Sequence, residues 1–118
     1  MSVQKVNAAR AALDYVEDVE IIHHKNFEAF LKTTQLRSYY SVSTKGESMM
    51  KDTSIKAGDY LMFGSETKGL PKECLTHKKC QKVIRIPMAD GSRSLNLSNS
   101  VAILVYYALG QNDFIGLS

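Results

Sequence analysis

The feature that most constrains the fold is the alternation of short apolar runs with helix-like segments along the 118 residues. Tyr60-Leu61-Met62-Phe63 and Lys82–Pro87 are apolar runs of strand length, while Phe27, Phe30 and Leu31 after Asn26 have the spacing of a capped amphipathic helix. Strands that alternate with helices indicate an α/β fold, a mainly parallel sheet flanked by helices. A chain of this length forms one core, so we expect residues 1–118 to be a single domain.

Further elements follow from the same patterns. In chain order, we predict a helix over Val3–Tyr15, strands over Val19–Ile22 and Tyr39–Ser43, a turn at Ala57-Gly58-Asp59, a helix from Pro71 to about His77, and a final helix that is capped by Ser98 or Asn99 and runs to Leu109. Parallel sheets bind ligands where their strands end at the carboxyl edge. Three loops that follow predicted strands therefore mark the expected site: Ser43–Gly46, Gly64–Pro71 and Pro87–Ser98.

The composition excludes several classes of protein. No run approaches the roughly 18 apolar residues of a membrane span, and the first residues lack the apolar core of a signal peptide. We therefore expect a cytoplasmic protein with no membrane partner. Cys74 and Cys80, with His77 between them, are too few and too widely spaced for a zinc site, so free thiols and no bound metal are expected.

The charge pattern permits an RNA partner without requiring one. The formal net charge is only +3, a value that many proteins without nucleic-acid partners share. His77, Lys78, Lys79 and Lys82 form a local basic cluster. This cluster is either a solvated surface or a contact with phosphate groups.

Two of the three loops have unusual sequences. In Phe63–Pro71, two glycines five positions apart precede a proline, which suits either a structural turn or a close approach of bare amides to a ligand. Between Pro87 and the final helix, polar residues interleave with leucines, and Ser94, Asn96, Ser98 and Asn99 are more than one helix cap needs. A polar loop that folds back on itself fits this pattern better.

Taken together, these segments resemble the last signature motifs of the SPOUT class of RNA methyltransferases. The matching stretches are Phe63-Gly64-Ser65-Glu66-Thr67-Lys68-Gly69-Leu70-Pro71, Ile84-Arg85-Ile86-Pro87-Met88 and Ser94-Leu95-Asn96-Leu97-Ser98-Asn99, with weaker similarity at Arg10–Tyr15, His23-His24, Thr44-Lys45-Gly46 and Gly58-Asp59-Tyr60. The resemblance is greatest to the subfamily that methylates the ribose 2′-hydroxyl at the wobble nucleotide, cytidine or uridine 34, of tRNA. It extends from about Arg10 to Ala108.

The resemblance implies an S-adenosylmethionine-dependent enzyme with a C-terminal deep trefoil knot, a homodimer and a tRNA partner. By position in the motifs, the cofactor-binding residues would be Val42, Gly64, Glu66, Gly69, Ile86, Ser94, Leu95 and Asn96. Tyr106 would position the RNA, or alternatively pack in an interface. Arg93 would contact phosphate.

Two departures from the family pattern carry expectations of their own. The family's opening strand N-I-V-L-Y and the following P-x-N-T-G-N-I-x-R, with an arginine thought to assist the hydroxyl attack, have no match in Met1–Tyr15. We therefore expect a chain truncated at its N-terminus relative to the family, with exposed strand edges and apolar faces and with weak or no activity. Tyr107 stands where close relatives often carry glutamate.

Two other functions are compatible with the same patterns. A knotted remnant could hold cofactor or RNA without turnover, which an assay for methylated product would reveal. A flavodoxin-like nucleotide or flavin protein would also alternate strands with helices. This last alternative lacks a G-x-G-x-x-G or P-loop fingerprint.

Overall fold

A computed structural model describes residues 2–5, 22–44, 46–64, 69–87 and 97–114. Its elements are β1 (Ser2–Lys5), α1 (Phe27–Thr34), β2 (Tyr39–Val42), β3 (Ser48–Met49), a 3₁₀ turn (Met50–Asp52), β4 (Tyr60–Phe63), α2 (Lys72–Thr76), β5 (Cys80–Arg85) and α3 (Leu97–Gln111). No helix in these ranges has the length and apolar character needed to cross a membrane.

The strands form one sheet in the order β1-β4-β2-β5-β3. β4, β2, β5 and β3 run parallel to one another, and β1 pairs with β4 in the antiparallel direction. In the central register, Val42 lies opposite Phe63 on one side and Ile84 on the other. The predicted mainly parallel sheet with flanking helices is confirmed.

Helices cover both faces of the sheet because its central strands are apolar on both sides. Successive residues of a strand point to opposite faces, so Tyr39 and Met62 pack under α1 and α2, whereas Tyr40 and Leu61 pack under α3. The core under α3 contains Tyr40, Ile55, Leu61, Phe63, Ile84, Leu104 and Ala108. The core under α1 and α2 contains Phe27, Phe30, Leu36, Tyr39, Met62, Leu70 and Cys74.

Helix α3 crosses the sheet from its carboxyl edge towards its amino edge. Leu97 and Val101, in the first turns, pack on the same core cluster as Val42 and Ile86, which lie at the carboxyl ends of their strands. At the other end, the Gln111 side chain accepts a hydrogen bond from the Ile55 amide (2.8 Å) and donates one to the Thr53 carbonyl (2.7 Å), in the segment that leads into β4. The two ends of α3 are therefore attached to opposite edges of the sheet.

The N-terminal segment differs from the prediction. Val3–Tyr15 was expected to be a helix, but Ser2–Lys5 is a strand, in which Val3 lies opposite Met62. The alanines that favoured a helix begin only at Ala8, whereas Ser2–Lys5 contains none, and pairing with β4 supplies its backbone partners. The expectation of exposed strand edges is wrong at β4 for the same reason. The rest of the predicted helix lies outside the described residues.

Smaller differences occur at the ends of elements. Ser98 and Asn99, expected to cap α3, lie inside the helix, which begins at Leu97. Strand β5 begins at Cys80, before the predicted Lys82, because the register with β2 continues to Tyr39. Ile22 is exposed and has no regular structure, while the remainder of the strand predicted over Val19–Ile22 lies outside the described residues.

Candidate active site

Three strand ends meet at the carboxyl edge of the sheet. Strands β4, β2 and β5 are adjacent and parallel, so their carboxyl ends form one row. Gly64 follows β4, Val42 is the last residue of β2, and Ile86 follows β5. Neighbouring strands lie about 4.8 Å apart, so the row spans roughly 10 Å. Gly64 is buried, and Val42 and Ile86 are half-buried. The structure thus brings these three predicted residues together.

Gly64 allows the loop after β4 to close on itself. A Cβ atom at this position would lie 2.1 Å from the Gly69 carbonyl carbon and 2.2 Å from the Leu70 nitrogen. No side chain fits there, because real Cβ atoms do not approach other heavy atoms so closely. Gly69 has a φ of +68°, in the left-handed region that favours glycine. The two predicted glycines are therefore the two ends of one loop, and they touch.

Gly46 brings a second loop onto the same edge. The Ser43 amide donates to the Ile84 carbonyl (3.0 Å), and the Gly46 amide donates to the Ser43 carbonyl (3.1 Å). A Cβ atom at Gly46 would lie 2.7 Å from the Val83 carbonyl oxygen. The loop after β2 is therefore packed directly on the backbone of β5. Gly46 was not among the predicted site residues, although the strand-closing Thr44-Lys45-Gly46 sequence was a signal for it.

The third loop starts and finishes near this row. Ile86 precedes it and Leu97 follows it, and both pack against the core cluster that also contacts Val42. The remaining predicted site residues, Glu66, Arg93, Ser94, Leu95 and Asn96, lie outside the described residues.

Tyr106 is not part of the row of strand ends. It lies nine residues after Leu97, which places it roughly 14 Å along α3 from the carboxyl edge. Its side chain is 51% exposed, on the same outer face as Ile103. Within one chain, Tyr106 is therefore separated from Val42, Gly64 and Ile86.

The described part of the row is uncharged. Val42 and Ile86 offer apolar walls, and the glycine-containing bends offer backbone amides, a combination that suits an aromatic ring with polar edges. Among the described residues there is no group of three His, Cys, Asp or Glu side chains that could hold a metal ion. This arrangement can bind and orient a ligand, and it supplies no strong acid or base of its own.

Cys74 does not provide an activated nucleophile. Cys74 and Cys80 are free thiols, as expected. Cys74 is buried on the other face of the sheet, and burial, with a smaller contribution from Glu73, raises the pKa of its thiol to about 11. The hydroxyl of Tyr39 donates to the Cys74 carbonyl (2.5 Å), and burial raises the pKa of Tyr39 as well. Both groups are protonated at neutral pH and belong to the core.

Comparison with known proteins gives consistent matches over most of the chain. A protein from Saccharophagus degradans named tRNA (cytidine(34)-2′-O)-methyltransferase is 45% identical over 107 residues, covering 91% of this chain and 70% of that one. The protein of the same name from Escherichia coli strain K12 is 42% identical over 107 residues, covering 91% and 68% of the two chains.

Solved structures resemble this chain as well. One that concerns the 2-OH methylation of C/U34 on tRNA has a TM-score of 0.75 and 36% identity, over 87% of this chain and 66% of that one. An RNA 2′-O ribose methyltransferase has a TM-score of 0.60 and 28% identity, over 70% of this chain and 31% of that one. The family model described as "SpoU rRNA Methylase family" matches residues 2–106. These solved structures share the α/β fold of this chain. The chain belongs to the SpoU rRNA methylase family.

Proposed function

We propose that this chain transfers a methyl group from S-adenosylmethionine to the ribose 2′-hydroxyl of nucleotide 34 in tRNA. The observation that carries the proposal is the row of Val42, Gly64 and Ile86 at one edge of the sheet. At this edge, Gly64 lies against the backbone of Gly69, so the two ends of the glycine-containing loop are in contact. Membership of a methylase family and relatives of more than 40% identity with this named activity support the reaction and the substrate.

The fit between the row and the cofactor is chemical as well as positional. Val42 and Ile86 would contact the adenine ring, and the backbone at Gly64 and Gly69 would bind its polar edge. Glu66, Ser94, Leu95 and Asn96 would complete the pocket, as the sequence motifs imply. When bound, S-adenosylmethionine supplies an electrophilic methyl group on its sulfonium. The chain's contribution is then to hold donor and hydroxyl near contact distance and to exclude water.

The position of Tyr106 favours a homodimeric enzyme. Because this side chain is about 14 Å along α3 from its own row, it would serve the row of a second copy rather than its own. Ile103, 37% exposed on the same face, gives this surface an apolar contact. In the dimer, Tyr106 would position the RNA next to the methyl donor. Arg93 would bind a phosphate of the same RNA.

Three further features complete the proposal. The third loop would be the threaded part of a trefoil knot, for which the shared packing of Ile86 and Leu97 is the support. Residues 1–118 would act as one domain. The place of action would be the cytoplasm, because a tRNA substrate is available there.

The direct test is methylation of an unmodified tRNA transcript, followed by digestion to nucleosides and mass spectrometry. We expect one 2′-O-methylated nucleoside, which maps to position 34. The control is the same tRNA with a 2′-deoxynucleotide at position 34, which has no hydroxyl to accept the methyl group. Product on the deoxy control, or at another position of the intact tRNA, would overturn the assignment.

The same samples separate catalysis from binding without turnover. If isothermal titration shows that the cofactor binds but no methylated nucleoside forms from any tRNA tested, the chain holds the cofactor without transferring the methyl group. If the cofactor does not bind at all, the proposed pocket is wrong.

A further inference from the structure

A second surface of interest lies at the amino edge of the sheet, opposite the row of strand ends. Here the segments that lead into β2 and β5 run side by side, since Tyr39 lies opposite Cys80. Arg37 precedes β2, and Lys78 and Lys79 precede β5. We call Arg37, Lys78 and Lys79 the basic edge.

Hydrogen bonds hold the basic edge together. The Lys79 ammonium group donates to the Leu36 carbonyl (3.0 Å), and the Lys79 carbonyl accepts from the Tyr39 amide (2.9 Å). The Lys79 amide donates to Nδ1 of His77 (3.0 Å). Arg37 therefore lies between two residues, Leu36 and Tyr39, that are both hydrogen-bonded to Lys79, so its backbone is held beside that of Lys78.

The positive charge of this surface is only partly compensated. Residues 36–38 and 77–82 contain no aspartate or glutamate. The side chains of Arg37 and Lys78 are exposed, and neither makes an ion pair with another residue in the described ranges. Glu73, on α2, is the carboxylate whose charge acts on the neighbouring Tyr39.

Lys82 belongs to a different surface. It shares a depression of about 360 Å³ with Glu47, and the other lining residues are Ser48, Leu75, Gln81 and Val83. Glu47 therefore puts a carboxylate on the same surface as Lys82. We therefore treat Lys82 apart from Arg37, Lys78 and Lys79, which lie in two adjacent segments without a carboxylate.

We infer that Arg37 and Lys78 bind the phosphate backbone of the tRNA substrate at a distance from the nucleotide that is methylated. The inference rests on the proposed function. A guanidinium group can bind a phosphate through two hydrogen bonds, and an ammonium group acts as a mobile point charge beside it. Two exposed cations on adjacent segments can contact neighbouring phosphates of one nucleic-acid chain.

The dimensions of the sheet allow one RNA to reach both edges. A four-residue strand such as β2 is only about 13 Å long. A stem-loop of tRNA is longer than that, so its loop can lie at the carboxyl edge while its stem passes the basic edge. Such contacts would fix the orientation of the RNA without reading its sequence.

The test compares the unchanged chain with the double variant R37Q/K78Q, and with R37K/K78R as the matched variant that keeps both charges. Binding of fluorescein-labelled tRNA is followed by anisotropy at several salt concentrations, without cofactor. For R37Q/K78Q we expect weaker binding at low salt and a slope of log K against log[salt] that is less steep by about 2, or about 1 for each lost phosphate contact. R37K/K78R should keep the slope, and the affinity of every variant for S-adenosylmethionine should be unchanged.

The outcomes separate this inference from the proposed function. If the unchanged chain binds tRNA and R37Q/K78Q binds it with the same affinity and slope, the inference is wrong and the proposed function stands. If the unchanged chain does not bind tRNA, both are wrong. If R37Q/K78Q loses binding to phosphatidylserine vesicles but not to tRNA, the basic edge contacts a membrane surface and the inference is overturned.

Discussion

At the scale of single residues, the glycines of the candidate site act through what they allow the backbone to do. Gly64 lets the start of its loop touch Gly69 and Leu70, and Gly46 lets another loop lie on β5. In each case a methyl group would collide with backbone, which cannot move aside as a flexible side chain can. The shape of the row of strand ends therefore depends on the absence of side chains at these positions.

Substitution of Gly64 tests this dependence. Gly64→Ala should reduce the free energy of unfolding by about 2–3 kcal/mol, because an inserted methyl group must displace packed backbone. The matched control is Gly58→Ala, where φ is +91° but no atom lies within 4 Å of the added Cβ. This control should cost about 1 kcal/mol, from backbone strain alone. Urea titrations give the free energy of unfolding of both variants. If Gly64→Ala and Gly58→Ala lose the same amount, the backbone relieves the collision at Gly64 and the prediction is wrong.

Burial of Cys74 predicts a dependence of stability on pH. The thiol has a pKa of about 11 in the folded chain, against an ordinary value of 9.0. Below pH 9 the thiol is protonated in both states and has no effect. As the pH rises from 9 to 11, the unfolded chain releases this proton and the folded chain keeps it. Stability should therefore fall by about 1.4 kcal/mol for each pH unit.

The comparison variant for this effect is Cys74→Ala. Urea unfolding between pH 8 and pH 10 should show a flatter dependence on pH for this variant, even though it is less stable at every pH. The pKa of Tyr39 is also raised, so above pH 10 the titration of Tyr39 lowers the free energy of unfolding of both chains. Identical slopes for the two chains below pH 10 would show that the Cys74 thiol is not responsible.

At the scale of elements, the helices and central strands follow local rules closely. Asn26 caps α1, because its Oδ1 atom accepts a hydrogen bond from the Ala29 amide (2.9 Å). The helix then buries Phe27 and Phe30 against β2 and α2. The cap contact is exposed, so its loss affects the helix more than the core.

Removal of this cap gives a measurable loss. Asn26→Ala should lower the free energy of unfolding by about 1 kcal/mol, since the Ala29 amide loses its acceptor. Asn26→Ser, which can still accept that hydrogen bond, should retain most of the stability. Chemical denaturation monitored by circular dichroism compares the variants. Equal destabilisation by alanine and serine would mean that the asparagine matters for another reason.

Elements with local sequence signals could be predicted from the sequence. Elements that form only through pairing with a distant strand could not. The capped helix α1, the strands β2 and β4 and the turn at Gly58 have such signals, and each is found where it was predicted. Strand β1 was predicted as helix because its pairing with β4 is a contact between distant parts of the chain. The two-residue β3 was missed because it is too short to show a pattern.

The same distinction applies to the site. Val42, Gly64 and Ile86 could be placed together because parallel strands end at a common edge. The contact of Gly46 with β5 depends on the register between β2 and β5, which the sequence does not state. The separation of Tyr106 from the row follows from the direction of α3, and that direction is fixed by contacts such as Gln111 with Ile55.

At the scale of the whole molecule, the proposed homodimer would be formed through the outer face of α3. Val105 and Leu109 face the core, whereas Ile103 and Tyr106 face away from it. Isologous packing of two α3 faces would bury these apolar side chains.

A charge on this face should therefore prevent association. Ile103→Glu should convert a dimer to a monomer, because an unpaired carboxylate is costly to bury. Thr33→Glu, at an exposed position of α1, is the matched control and should remain dimeric. Light scattering coupled to size-exclusion chromatography gives the mass of each species. A dimeric Ile103→Glu variant would place the interface elsewhere.

The central claim is that the row of strand ends at the carboxyl edge binds S-adenosylmethionine. Titration of the ¹⁵N-labelled chain with this cofactor, followed by amide resonances in nuclear magnetic resonance spectra, tests the claim directly. We expect the amides of Val42, Gly64, Gly69 and Ile86 to shift together with one dissociation constant, while those of Gly58 and Lys78 at the amino edge stay unchanged. Saturable shifts at the amino edge, with none along the row, would contradict the claim.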